Sequence, residues 1–273
     1  MAPITAAVPK ALLPLPDHSG AVRAVVHWIV REALSVARRA CVVASAGHLP
    51  MLQAYFAAAA EHDALLRSRV DLLVQPSPAG FGDAIRCARE RISQGRFMVL
   101  LGDHVHIGAP GAAPCAVQVA QAAATLGDAV AVVGMQAVDE SQIGLVGVAR
   151  GESFGAGLYR CADFVEKPDV ATARRRLVTG GLPRGQYLAH NGIFIFDTQM
   201  LQCLDQVAAA AHGEVSLAAA QSLLLCRGGR RYYLHCPRGR SHDTGTPPNY
   251  ISTWDAFRAA ACQPPGVDAR TTF

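Results

Sequence analysis

Apolar side chains along this chain alternate between helical and strand-like spacing. Over residues 21–39, Val22, Val25, Val26, Ile29, Val30, Leu34 and Val36 fall on one helical face, and Cys41, Val42, Val43 and Ala44 follow as a short strand. The unit repeats with a helix over 50–66 and a strand over 70–74. A loop holding Pro76, Pro78, Gly80 and Gly82 then opens a helix over 83–91. Next comes Phe97-Met98-Val99-Leu100-Leu101-Gly102-Asp103, which reads as a buried parallel strand ending in a carboxylate. A helix over 116–126 and a buried strand over 129–135 complete this part. From Gly144 onward, short strands over 145–149, 163–166 and 193–196 lie among glycines, with helices over 198–211 and 217–225. A strand over 231–235, a loop carrying Asp243 and a helix over 250–261 close the chain. Residues 1–15, with Pro3, Pro9 and Pro14, read as extended. Strand and helix alternate, so the expected class is α/β, with a mostly parallel sheet, right-handed crossovers and a mixed second half.

Composition narrows the classes. With 273 residues and 51% apolar content, the chain can bury a substantial core. Cys41, Cys87, Cys115, Cys161, Cys203, Cys226, Cys236 and Cys262 are dispersed without a C-x-x-C pair, which fits reduced residues of a cytoplasmic protein. The start lacks a basic segment followed by an apolar one, so no signal peptide is expected, and no apolar run approaches the roughly 20 residues of a membrane span. The net charge of +4 is mild. Its arginine clusters, Arg174, Arg175 and Arg176 and those between Arg227 and Arg231, lack interleaved aromatics, which argues for solvated surface and against a nucleic-acid stripe.

Asp103 is the first candidate for chemistry. Ligands of open α/β sheets collect beyond the carboxyl ends of strands, and a carboxylate there is either a turn cap or a metal ligand. A second carboxylate, Asp243, in Ser241-His242-Asp243-Thr244-Gly245, favours the ligand reading, because two carboxylates plus phosphate oxygens suit magnesium. His104 and His106 alternate after Asp103, but zinc is not expected without a third ligand nearby.

Six short motifs fall in one order: Pro9-Lys10-x-x-Leu13-Pro14, Gln75 with Gly80-Phe81-Gly82-Asp83-Ala84, Leu101-Gly102-Asp103, Glu166-Lys167-Pro168, Gly213-Glu214 and His242-Asp243-x-Gly245. In this the chain resembles the bacterial-type UTP:glucose-1-phosphate uridylyltransferases of the sugar-nucleotidyltransferase group. The resemblance implies a Rossmann-like fold of the nucleotide-diphospho-sugar transferase type in one domain over 1–262. A nucleotide-binding half would cover 1–135, a sugar-phosphate-binding half 136–262, and a tail 263–273. It implies uridylyl transfer from UTP to glucose 1-phosphate with Mg2+. Lys10 would contact the triphosphate, Gln75 and Gly80 the uracil, and Gly144 and Glu166 the hexose. Lys167 would hold the sugar phosphate, and Asp103 and Asp243 the metal. Lys10, Asp103 and Lys167 would be the catalytic set. Family members are commonly dimers or tetramers, so a homo-oligomer is an expectation. A thymidylyl or adenylyl transferase would share most of these residues.

The sequence also departs from the family. A buried strand and a G-x-G-T-R phosphate loop would fall ahead of Met1 and are absent here, which removes triphosphate contacts and a central strand. Either the natural protein is longer, or it is a shortened relative that binds sugar nucleotides with impaired or no turnover. Asp83 stands where histidine is frequent, His104 where an acidic residue is common, and Ala219 replaces an acidic residue. The arginine-bearing connection over 170–186 is longer than usual.

Overall fold

Two central strands buried on both faces organise the molecule. The coordinates are a computed structural model that describes residues 4–16, 20–92, 95–210 and 213–261. A short helix α1 (Ile4–Ala7) and a 3-10 turn (Lys10–Leu12) precede the antiparallel pair β1 (Pro14–Pro16) and β2 (Val22–Ala24). There follow α2 (Val25–Leu34), β3 (Ala40–Ser45), α3 (Leu49–His62), β4 (Val70–Gln75), α4 (Phe81–Cys87), β5 (Arg96–Leu100), β6 (His104–Gly108), α5 (Cys115–Thr125) and β7 (Ala131–Asp139). The second half holds β8 (Gly147–Gly155), β9 (Leu158–Glu166), α6 (Val170–Arg176), β10 (Gln186–Asp197), α7 (Gln199–Ala210), α8 (Leu217–Gly228), β11 (Tyr232–His235), β12 (Gly239–Asp243) and α9 (Pro247–Ala261).

Six strands form one sheet in the order β5-β10-β7-β11-β9-β8. On β7 and β10 successive side chains go to opposite faces, as the two-residue period of a strand requires. Val133, Met135, Phe194 and Phe196 pack under α4, α7 and α8 with Ile85, Met200, Leu204 and Leu224. Val132, Ile193 and Ile195 pack under α5 with Ala116, Val119 and Ala123. Each large apolar side chain buried this way contributes about 1.5–3 kcal/mol.

The α/β class agrees with expectation, but the sheet is mixed and largely antiparallel. Within it only β11 and β7 run parallel. The apolar run at 97–101 is not a parallel strand of the interior: β5 lies at the sheet edge, half-buried, and pairs antiparallel with β10. An apolar run signals burial and is silent on strand direction. Here the 12-residue β10, much longer than the expected 193–196, inserts between β5 and β7. The parallel pair β3–β4 stands as a separate two-stranded sheet, and α2 packs across both β3 and β5. The opening segment is not simply extended, since it contains α1 and a 3-10 turn before Leu13 and Leu15 are buried. Helix α2 is shorter than 21–39 because Val22–Ala24 is drawn into β2. Residues 1–3 and the tail at 263–273 lie outside the described residues.

Helices α2 and α3 are tied by a buried imidazole. His27 is 1% exposed. Its Nδ1 accepts from the Tyr55 hydroxyl at 3.1 Å, and its Nε2 donates to Asp63 at 3.1 Å. Asp63 also accepts from Arg31 at 2.8 Å. Burial, then the Arg23 charge, depress the His27 pKa below its usual 6.5 and keep the ring neutral. The unfolded chain takes up a proton on this ring near pH 6.5 and the fold only at lower pH, so stability falls as pH drops through this range. We expect His27→Gln to flatten the fall of the unfolding free energy, from urea titrations, as pH drops from about 7 to about 5, by at most one proton's slope, about 1.4 kcal/mol per pH unit.

Candidate functional site

Two distant strands bring Asp103 and Asp243 together. β6 and β12 pair antiparallel with Asp243 opposite His104, and Thr244 donates to the Asp103 carbonyl from its amide at 2.8 Å and its hydroxyl at 2.9 Å. Ligand atoms of Asp103, His104 and Asp243 therefore lie within 4.8 Å of one another. Asp243 is aimed by its own loop: Oδ1 accepts from the Gly245 amide at 2.6 Å and Oδ2 from the Asn249 amide group at 2.8 Å. The His-Asp-x-Gly spacing has a steric reason, because a Cβ at Gly245 would sit 2.8 Å from Asp243 Oδ1 and 3.4 Å from Asp103 Oδ2. Lys10, in the 3-10 turn, donates to the Gly245 carbonyl at 2.9 Å. The His104 hydrogen bond, followed by the charges of His104 and Lys10, holds the Asp103 carboxyl below its usual range.

His104 thus does have further candidate ligands beside it, contrary to the expectation from sequence. His106 is not among them. Its Nε2 donates to the Asn191 carbonyl at 2.7 Å, and burial pushes its pKa down to about 4. Two carboxylates with one imidazole form a mostly hard-oxygen set, which fits Mg2+ completed by phosphate and water better than zinc.

A bulge in β10 links this cluster to a second one. The pairing with β7 shifts register between His190 and Phe194. Asn191 Oδ1 accepts from the Ile193 amide at 3.1 Å, and Gly192 adopts φ +90° while its carbonyl accepts from the Leu101 amide at 3.0 Å. A Cβ at Gly192 would lie 2.9 Å from the His104 Cβ, so the bulge abuts the Asp103 turn. One residue earlier, His190 stacks on Phe164 at 4.8 Å, and burial pushes its pKa down to about 3. A Cβ at Gly147 would lie 2.8 Å from both His190 Nδ1 and Glu166 Oε2, which places these two groups over the same glycine. Lys167 follows Glu166 at φ +48°, uncommon for a side-chain-bearing residue, with its amide donating to the Val146 carbonyl at 3.1 Å. Gly144 lies alongside, with the Pro168 carbonyl 4.0 Å from where its Cβ would be.

The Gln75 loop is built separately. Both amide hydrogens of Gln75 are used within it, toward the Gly80 carbonyl at 2.9 Å and Asp83 at 3.0 Å, which leaves Oε1 as the remaining hydrogen-bonding group of its amide. Gly80, at φ +93°, has the Glu214 side chain packed where a Cβ would stand, and the Val215 amide donates to the Ala79 carbonyl at 2.7 Å. Asp83 also accepts from Arg86 at 3.1 Å, so it braces the loop from within. Among the described residues no hydrogen bond or ion pair joins Gln75 or Gly80 to Asp103, Asp243 or Glu166. The candidates therefore form three groups: Lys10 with Asp103 and Asp243; Gly144 with Glu166 and Lys167; Gln75 with Gly80. Sequence reading missed His190, Asn191, Gly192 and Asn249. Of these only the bulge had a local signal, a glycine inside an apolar strand.

A family model described as nucleotidyl transferase matches residues 1–260. The chain belongs to the nucleotidyl transferase family. It is 23% identical over 269 residues to a UTP–glucose-1-phosphate uridylyltransferase of Bacillus subtilis, covering 92% of this chain and 84% of that protein. It is 27% identical to UTP–glucose-1-phosphate uridylyltransferase 2 of Staphylococcus saprophyticus, covering 92% and 85%. The fold matches a UDP-glucose pyrophosphorylase solved with UDP-glucose, with TM-score 0.75, 20% identity and coverage of 95% and 94%. It also matches a UTP-bound enzyme of Acinetobacter baumannii, with TM-score 0.69, 18% identity and coverage of 94% and 88%.

Two substitutions test the geometry. Gly192→Ala is expected to lower stability by about 2 kcal/mol in urea unfolding, from positive φ and the approach to His104 together. Lys167→Gly is expected to leave the melting temperature unchanged or slightly raised, because glycine tolerates that backbone without strain. A large drop would show that the Lys167 side chain holds the fold.

Proposed function

We propose that this protein transfers a uridylyl group from UTP to glucose 1-phosphate, in the cytoplasm, and releases pyrophosphate. The observation that carries the reading is the convergence of Asp103, Asp243 and Lys10 beside the β10 bulge, with Glu166 packed over Gly147 next to His190 of the same bulge. The relatives named above are uridylyltransferases by name, which supports the same substrates. Seven described cysteines are free, in keeping with a reducing compartment, and among the described residues no helix is long and apolar enough to cross a membrane.

Asp103 and Asp243 would hold Mg2+, which supplies charge neutralisation to the phosphates when bound. Lys10 binds the triphosphate as a point charge, and Lys167 holds the sugar phosphate. Glu166 accepts hydrogen bonds from hexose hydroxyls beside the open backbone at Gly144. Gln75 Oε1 and the Gly80 backbone face the uracil. An oxygen of the sugar phosphate bonds to the α-phosphorus as the bond to the bridging oxygen breaks, and that electron pair leaves with pyrophosphate. No covalent enzyme intermediate is needed, because positioning and charge stabilisation carry such transfers.

A second reading, binding of sugar nucleotides without turnover, draws on the Lys10 ammonium being bonded to the Gly245 carbonyl. Pyrophosphate release measured with UTP and glucose 1-phosphate separates the two. The transferase reading expects release only with both substrates and Mg2+, and a loss of about a hundredfold or more in Asp103→Asn and Asp243→Asn. Full turnover by either variant refutes the metal assignment, and calorimetric heat without pyrophosphate establishes the second reading. Faster turnover with dTTP or ATP than with UTP refutes the uridylyl preference.

A further inference from the structure

The long arginine-bearing connection after Lys167-Pro168 is absorbed by neither reading. It forms α6, which is started by the Asp169 side chain accepting from the Thr172 amide at 2.6 Å and anchored by the fully buried Ala173 and Leu177. The three arginines at its end have different fates. Arg174 grips Glu140 with two bonds at 2.8 and 2.6 Å, and Arg176 grips Asp163 with two bonds at 2.9 Å. Arg175 makes no hydrogen bond or close ion pair among the described residues, and only its longer-range charge acts on the Asp169 carboxylate. It borders an open cavity of about 290 Å³ together with Arg150, Asp163, Arg176 and Val178.

Arg150 is in the same condition. It stands opposite Asp163 across the β8–β9 ladder, yet both Asp163 oxygens are taken by Arg176, and Oδ1 also accepts from the Phe164 amide at 2.9 Å. The cavity thus gathers three guanidiniums against one carboxylate that is already satisfied. The backbone behind it is tied down: the 2%-exposed Thr179 accepts from the Gly151 amide at 3.0 Å, joining the segment after α6 to β8 beside Arg150. Forked donors on a rigid frame match tetrahedral oxyanions, which accept several charge-assisted hydrogen bonds at once.

We propose that the cavity between α6 and the β8–β9 hairpin is an anion site in which Arg150 and Arg175 clasp the phosphate group of a small phosphate monoester. The site is separate from the Asp103–Asp243 cluster, and it stands or falls independently of the transfer reaction.

The test follows the arginine Nε–H signals of the full chain by NMR, with Arg150→Gln and Arg175→Gln assigning the two resonances. Inorganic phosphate and glycerol 3-phosphate serve as probes. The expected result is that both signals shift together along one saturating curve with either probe, and that either substitution weakens binding about tenfold or more. The curve persists in a Lys10→Met, Lys167→Met double variant, which separates it from phosphate bound at the candidate transferase site. Linear drift without saturation, matched by chloride at equal ionic strength, marks solvated surface and overturns the proposal. Saturation by inorganic phosphate but not by glycerol 3-phosphate overturns the monoester assignment.

Discussion

The pairing of β6 with β12 is the constraint on which the candidate site depends. It sets Asp243 opposite His104 and brings two carboxylates to within 4.8 Å. At an effective dielectric of about 20, two such charges repel by roughly 3 kcal/mol, a sizeable fraction of the stability of an ordinary domain. The fold offsets this locally with the His104 hydrogen bond, the Gly245 and Asn249 amides and the nearby Lys10 ammonium. Those groups come from the start of β6, the loop after β12, the first turn of α9 and the 3-10 turn, so the carboxylates stay together only while these separate segments keep their places.

The β10 bulge does the complementary work. One irregular stretch, His190 to Gly192, touches the Asp103 turn with its glycine, receives the His106 ring on its Asn191 carbonyl, and turns His190 toward Glu166. A regular strand could not do all three, because successive side chains would alternate strictly between the two faces. The separation between a carboxylate cluster and a Glu-Lys turn is therefore set by a single backbone irregularity in the longest strand of the sheet.

Much of this was legible in the sequence, for physical reasons that can be named. The run ending in Gly102-Asp103 announces a strand with a carboxylate beyond it, and Ser241-His242-Asp243-Thr244-Gly245 announces a loop carrying a second one. Both signals are local and both hold. The α2 face was readable from spacing alone at Val25, Val26, Ile29, Val30 and Leu34, whereas α6 and its Asp169 cap were not read from the connection after Lys167-Pro168. What was not legible depends on distant partners. Nothing in Phe97 to Leu101 says that β10 will return antiparallel beside it. The alternation His104, Val105, His106 invites a metal reading of both histidines, whereas only His104 lies in the carboxylate cluster and His106, two residues on in the same short strand, serves a carbonyl. Asn249 acquires its role only because α9 begins beside β12.

The separation of β3–β4 from the main sheet has a bearing on how the isolated chain behaves in solution. Val42 and Val43 of β3, and Met98 and Val99 of β5, are only half covered, whereas the equivalent positions of β7 are sealed. Among the described residues, β3 pairs only with β4 and β5 only with β10, so each presents one side of its backbone amides and carbonyls without a neighbour. Bare apolar borders of this kind are templates for foreign chains. Helix α2, which packs on both β3 and β5, covers one face of this border, so the unpaired backbone groups lie along a line that a helix already shields from one side.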